Sequence, residues 1–392
     1  MNKINRNRRA FLRSSVALAG SFVATGLVPG FAGRALAQTG SGVTIADIGV
    51  GDPGDWSIFT EATGNSVNLV AIGNTPSAVV NQLVVGGGRA AFDVINIVGG
   101  MQKPLATEKL IDEIDTSRLS NWDKNTYISQ YLSQGTPGFD FIGYDGRVYG
   151  VPTVLQADSF AYLPDKTGEL DSYAALFDPK FRGYVAIEDN YTTTGQKTAL
   201  YLKESGLAEI ANPADMTRGE LKTVIDFLID KKKEGQFRVI WSSFEQAVNL
   251  LVNQEVYVMD CWEPMVFAAN AKGANVKYAA PKEGYLLWAM AAYLVNNPER
   301  TEEETAASYA LLDFMLGPWY GATITQSRGY MTNPQAVDFA KESGLFDDEA
   351  ARRIAAIDAG VKDRFAYGGT WQNRWPTEVD FYEEEWQRFK AS

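Results

Sequence analysis

The feature that most constrains this fold is a strand–helix grammar that runs through the chain twice. Val43-Thr44-Ile45-Ala46-Asp47-Ile48 reads as a strand, Gly49 to Gly54 as a turn, Trp56 to Thr63 as a short helix and Ser66 to Ile72 as a second strand. A helix is expected from about Pro76, a favoured first helical residue, to Gly86-Gly87-Gly88, and Asp93 to Val98 reads as a buried strand. The second half repeats the pattern. Thr217-Arg218-Gly219-Glu220 is a capping box that opens a helix with Leu221, Val224, Ile225 and Leu228 on one face and Gly235 beyond its end. Arg238 to Trp241 is a short strand, Ser242 or Ser243 caps a helix carrying Ala247, Leu250 and Leu251, and Val256 to Asp260 is the next strand. Thr301 and Glu304 form another capping box, and Gly317-Pro318 closes that helix. Such alternation argues for an α/β protein with a mostly parallel sheet covered by helices on both faces.

At 392 residues the chain is long enough for two domains of about 150 residues each. Its 45% apolar and 21% charged residues are those of an ordinary globular protein. Residues 1–37 hold six basic groups and no acid. Arg8-Arg9-Ala10-Phe11-Leu12, a Gly-containing apolar stretch from Ser14 to Phe31, and Ala35-Leu36-Ala37 together read as a cleavable twin-arginine export leader. Gly20, Gly26, Pro29 and Gly30 weaken the stretch as a permanent membrane span. Removing six of the 36 basic residues leaves 30 against 48 acids, so the exported chain carries −18. That balance argues against nucleic acid as a partner and suits cationic or zwitterionic solutes, or simply solubility.

The residue inventory excludes much chemistry. There is no histidine, so histidine triads, general bases and metal ligands are ruled out. Cys261 is the one cysteine, so neither an internal disulfide nor a cysteine metal cluster can form. Gly49-Val50-Gly51-Asp52-Pro53-Gly54 follows a strand in the dinucleotide-binding pattern. The second strand, however, ends in Ile72-Gly73-Asn74-Thr75 without the acid that would hold a ribose, so the run reads as a glycine-rich turn. A Glu/Asp pair could still serve a glycosidase, since 48 acids always permit a pair somewhere, but no cofactor or metal is expected.

Two α/β units in one exported chain suggest a clamshell, with a ligand beyond the carboxyl ends of the strands. The windows to watch are Asp47 to Asp52, Ile97 to Gly100, Glu188 to Thr192 and Asp260 to Glu263. Trp262, Trp288, Tyr330 and Trp371 all stand at strand ends or turns, where aromatic faces attract cations at ~0.5–2 kcal/mol each. Ordinary core packing is the alternative for any one of them.

These residues resemble the periplasmic spermidine/putrescine-type solute-binding proteins of ABC transporters. The strongest stretch runs from Asn253 to Trp288, with Gln254-Glu255-Val256, Trp262 and Pro281-Lys282-Glu283-Gly284-Tyr285-Leu286-Leu287-Trp288. Tyr149-Gly150-Val151-Pro152, Pro179-Lys180-Phe181-Arg182-Gly183, Gly329-Tyr330, Trp371-Gln372-Asn373 and Tyr382-Glu383-Glu384 support it. The resemblance implies a two-lobed periplasmic-binding-protein fold with crossover hinge strands, a small-molecule ligand, an ABC permease as membrane partner, a monomer and no catalysis. The expected lobes are residues 44–157 plus 289–335 and residues 158–287 plus 336–392, with separate sheets.

Carried over by position, the resemblance implies ligand contacts at Trp262, Trp288, Tyr330 and Gln372, with Asp189 as a pocket carboxylate; Trp371 is a further candidate. Thr192 and Met290 stand where polyamine binders carry two more acids. The loss of two carboxylates would leave an ammonium unpaired. The expected solute is therefore a small cationic or zwitterionic nitrogen compound, such as an amino acid, a betaine or an opine-like conjugate. Asp158, Asp260 or Glu263 could restore a charge. A polyamine receptor is the alternative within the class, and an exported enzyme on the same scaffold is the alternative outside it.

Overall fold

A computed structural model describes residues 41–73, 79, 83 and 87–392. The leader and most of the helix expected from Pro76 lie outside the described residues. The first unit has strands β1 (Gly42–Asp47), β2 (Ser66–Ala71) and β3 (Val94–Val98), in parallel order β2-β1-β3. A small antiparallel hairpin, β4 (Gly143–Tyr144) and β5 (Arg147–Val148), precedes the long strand β6 (Gly150–Tyr162). The second unit has β7 (Val185–Glu188), β8 (Phe237–Trp241) and β9 (Val258–Cys261), parallel in the order β9-β7-β8. Then come β10 (Lys277–Tyr278), β11 (Tyr285–Leu294) and β12 (Gly369–Trp371).

The strand–helix grammar is obeyed locally. Both capping boxes form: Thr217 caps Arg218–Lys233 and Thr301 caps Glu302–Met315, each with reciprocal bonds to its glutamate. Ser243, rather than Ser242, caps Phe244–Val252 by accepting from the Gln246 N–H. Pro318 opens the next helix, Pro318–Arg328, instead of merely closing the previous one.

The sheet differs from expectation. Hydrogen bonding runs unbroken through β2-β1-β3-β11-β6-β9-β7-β8, so the strands form one ladder rather than two sheets. The reason is the length of β6. Gly150 to Asp158 pair with β11, and Ser159 to Tyr162 pair with β9. β6 and β11 are antiparallel to each other and stand between the two parallel sets.

Burial is nonetheless divided. One apolar core gathers Ile45, Ile95, Ile97, Leu155, Tyr293 and Leu312. On the other side, Phe160, Ile187, Leu228 and Trp386 pack in a second core, and Trp241, Leu251 and Met259 in a third on the opposite face of the β7–β9 set. The core assignment also moves a boundary. Ala336, Ala340, Ile354, Ile357 and Val361 pack in the first core, although the sequence reading places residues 336–392 in the second lobe. Only the last helix, Val379–Ala391, buries Tyr382, Trp386 and Phe389 with the second. The long helix Asp348–Tyr367 packs its apolar stripe against β6 and the helices Pro318–Arg328 and Ala336–Glu342, which belong to the first core.

Candidate ligand-binding site

The carboxyl ends of β1, β3, β7, β9 and β12 converge on one cavity of about 40 Å³. The first core supplies its apolar wall: Ile48, Val50, Val98 and Met290, with Trp288 and Tyr330. Its charged wall is formed by Asp158, Glu188 and Arg374, joined by Thr193, Trp262 and Gln372.

The apolar wall rests on a buried carboxylate. Asp47, the last residue of β1, accepts the N–H groups of Gly49 (2.5 Å), Val50 (2.8 Å) and Gly51 (3.1 Å) and the Asn96 amide (2.6 Å). Thr153 donates to the other end of Asn96 at 2.7 Å, and Tyr320 donates to the Gly51 carbonyl at 2.9 Å. A Cβ on Gly51 would meet Asn96 at 2.2 Å, so glycine is required there. The glycine-rich run is thus a turn wrapped on its own carboxylate, and it fixes Ile48 and Val50 on the cavity.

Antiparallel register arranges the centre. Trp288 on β11 stands opposite Gln156 on β6, so Trp288, Gln156 and Asp158 share one face, with Met290 opposite Val154 on the same side. Tyr330 meets Trp288 edge-on, with ring centroids 5.7 Å apart. Trp262 follows β9, packs edge-on against Trp241 at 5.5 Å and donates its indole N–H to Glu188 Oε2 at 3.1 Å. Gln372 donates to the Thr192 carbonyl at 2.7 Å.

Among the buried polar atoms of the lining without a hydrogen-bond partner are Asp158 Oδ1, Thr193 Oγ1 and Trp288 Nε1. Buried polar atoms are normally paired, and a small rotation would pair Asp158 with Trp288, which leaves the Thr193 hydroxyl for a bound molecule. Burial pushes the Asp158 carboxyl up to about 6, against the pull of Lys197. The Trp288 indole is near enough to draw it down too, without meeting hydrogen-bond geometry. Burial pushes Glu188 up to about 7, helped by the charge of Asp260 and opposed by Lys197 and Arg374. Arg374 is held below its ordinary value by burial, with Glu188 acting the other way.

Five of the residues singled out in the sequence come together here: Trp262, Trp288, Tyr330, Gln372 and Asp158. Three do not. Asp189 turns away and accepts the Trp386 indole N–H at 2.7 Å and Lys390 at 3.3 Å; strand alternation gives the cavity to its neighbour Glu188. Thr192 is buried, bonded through its own N–H and hydroxyl to Asn190, and Thr193 takes the lining position. Trp371 packs against Phe141 and Phe365 in the core. Asp260 and Glu263 are engaged elsewhere. Lys197 reaches Asp260 at 2.6 Å, and Arg364 grips Glu263 in a fork at 2.6 and 2.7 Å while donating to Gln156 at 2.9 Å. Arg374 went unforeseen. It lies in a bend beyond the end of β12, where no periodicity in the sequence says which way a side chain turns.

Among the described residues no helix is long and apolar enough to cross a membrane, and no cluster of acids and Cys261 is arranged to hold a metal ion.

Known proteins share this architecture. The spermidine/putrescine ABC transporter substrate-binding protein of Streptococcus pneumoniae superposes with a TM-score of 0.65 at 15% identity, over 90% of this chain and 99% of that one. The binding protein MotA of A. tumefaciens B6, in complex with glucopine, gives 0.66 at 20% identity over 89% and 99%. These likenesses establish the two-lobed α/β fold of periplasmic binding proteins. The putrescine/agmatine-binding protein of Pseudomonas aeruginosa is 25% identical over 300 residues, 71% of this chain and 74% of that protein. Residues 57–351 match the signature of the bacterial extracellular solute-binding proteins, and with three-quarters of its length inside that match the chain belongs to this family of transport receptors rather than to an enzyme family.

Proposed function

We propose that this protein captures a small zwitterionic nitrogen compound, an amino acid, betaine or opine-like solute, and delivers it to an ABC permease. The observation that carries this reading is a cavity lined by charges of both signs, Asp158 and Glu188 against Arg374. A polyamine offers ammonium groups to the two acids and nothing to the guanidinium. A molecule with an ammonium and a carboxylate meets both, with Trp262 and Tyr330 as aromatic walls.

The charge count expected from the sequence changes in this reading. Asp189 leaves the pocket, Glu188 and Asp158 enter it, and Arg374 offsets one of them. The conclusion survives: one ammonium is matched well, a second is not. The observation that favours a polyamine instead is the presence of two cavity carboxylates where the sequence suggested one.

The ligand is read as enclosed between the two cores, with residues 44–157 plus 289–361 in one lobe and 158–287 plus the C-terminal helix in the other. The protein acts as a monomer exported to the periplasm by the twin-arginine leader. Native mass spectrometry of protein purified without refolding should reveal a retained solute carrying both charges. Calorimetry should find spermidine and putrescine at least ~100-fold weaker than that solute, about 2.7 kcal/mol. Submicromolar spermidine binding would replace this reading with the polyamine one.

A further inference from the structure

Behind the charged wall lies a fully buried ion pair that the cavity does not use directly. Lys197, on helix Gln196–Glu204, places Nζ 2.6 Å from Asp260 Oδ1 and 2.9 Å from the Ser159 carbonyl. Thr194 completes the shell by donating to Asp260 Oδ2 at 2.5 Å. Neither Lys197 nor Asp260 is more than 1% exposed. Asp260 stands on β9 opposite Phe160, two residues along β6 from Asp158, so the pair sits directly beside the cavity carboxylate.

We propose that Lys197 is the specificity-determining residue of this receptor: a tethered ammonium that neutralises Asp260 from inside the protein and so limits the solute to one positive charge. The inference rests on the reading of the pocket given above and adds the residue that sets its charge limit. Three carboxylates, Asp158, Glu188 and Asp260, act on one another through a low-dielectric interior, where charges are screened weakly. Two protein cations, Lys197 and Arg374, stand against them, and the neighbouring Glu263–Arg364 pair is neutral in sum. The cluster therefore has one net negative charge to offer. Tyr173, Tyr278, Tyr330 and Cys261 also pack around it, and burial keeps all four in their neutral forms. Without Lys197 the cluster would offer two negative charges, the complement of a diamine.

γ-Aminobutyrate and putrescine make a matched pair of probes, since they present a carboxylate and an ammonium respectively at one end of a short chain. Calorimetry on the full chain should show Lys197→Met raising the putrescine-to-γ-aminobutyrate affinity ratio by at least about tenfold, or 1.4 kcal/mol. Asp260→Asn, which leaves the lysine charge without its partner, should weaken both probes by at least about tenfold. The double variant Lys197→Met/Asp260→Asn removes both charges and should return the ratio to within about threefold of the original. An unchanged ratio in Lys197→Met overturns the proposal. Should that variant fail to fold, unchanged affinities in Asp260→Asn overturn it equally. Asp158→Asn/Glu188→Gln separates the two readings. If it binds both probes as the parent does, the pocket itself is misplaced. If it loses them while Lys197→Met leaves the ratio alone, only the role of Lys197 falls.

Discussion

Trp262 and Glu188, from the ends of two neighbouring strands, are joined by an indole N–H donated to the carboxylate at 3.1 Å. The bond ties the aromatic and anionic parts of the cavity into one unit. Each therefore depends on the other for its position.

Trp262→Ala and Trp288→Ala should each weaken solute binding by ~1–3 kcal/mol while the chain stays folded, because each removes an aromatic wall of the cavity. Trp371→Ala should behave differently. It empties a site packed by Phe141 and Phe365, and should cost about 3–5 kcal/mol of stability in urea denaturation. Unchanged affinity in both cavity variants would make those two rings core residues.

The pH dependence has two opposite parts. Glu188 releases its proton near 4.5 when unfolded but near 7 in the folded, solute-free chain. Between those values the folded state binds more protons. The stability tied to this group is thus complete below about pH 4.5 and is lost as pH rises to 7, on the order of 3 kcal/mol at most. Ammonium binding runs the other way, because it needs the ionised carboxylates. Affinity should rise from pH 5 to 8, with protons released on binding. Tm of the parent and of Glu188→Gln across that range tests the first part: equal slopes would remove Glu188 as the cause. Calorimetry in buffers of differing ionisation enthalpy tests the second.

Asp189→Asn should leave solute affinity within about twofold. Its carboxylate serves Trp386 and the half-exposed Lys390 on the last helix, and the substitution should cost only ~0.5–1.5 kcal/mol of stability. A tenfold loss of affinity would restore Asp189 to the pocket.

Arg364→Met should destabilise the chain by about 3–5 kcal/mol, since it strands Glu263 as a buried charge and frees Gln156. Replacing both ends, Arg364→Met with Glu263→Leu, should recover most of that loss. Equilibrium unfolding of the two variants gives the comparison, and equal losses would show that the fork itself, rather than the stranded charge, carries the energy.

The sequence made the architecture readable because capping boxes and apolar periodicity are local: Thr217 and Glu220, or Thr301 and Glu304, decide their helix starts within four residues. The position of Trp262 was readable for the same reason, as it lies immediately beyond a strand, whereas Trp288, expected at a strand end, stands inside β11. What failed was parity. Side chains alternate along a strand, so one residue of misalignment exchanges Asp189 for Glu188; Thr192 and Thr193 lie in the helical turn Tyr191–Gly195, where neighbouring residues also face different ways. Trp371 failed because a strand-end tryptophan looks the same from sequence whether it faces Phe365 or a ligand. The continuous ladder was hidden by the length of β6, whose two halves serve different neighbours with no break in composition.

That strand carries one more consequence. Asp158 is the last residue of β6 to pair with β11, and Ser159 is the first to pair with β9. On the proposed reading, a rotation of one core against the other would pass torsion through the peptide between them. The carboxylate offered to the solute would then stand at the junction of the two pairings, so that one residue would feel both the solute and the angle between the cores.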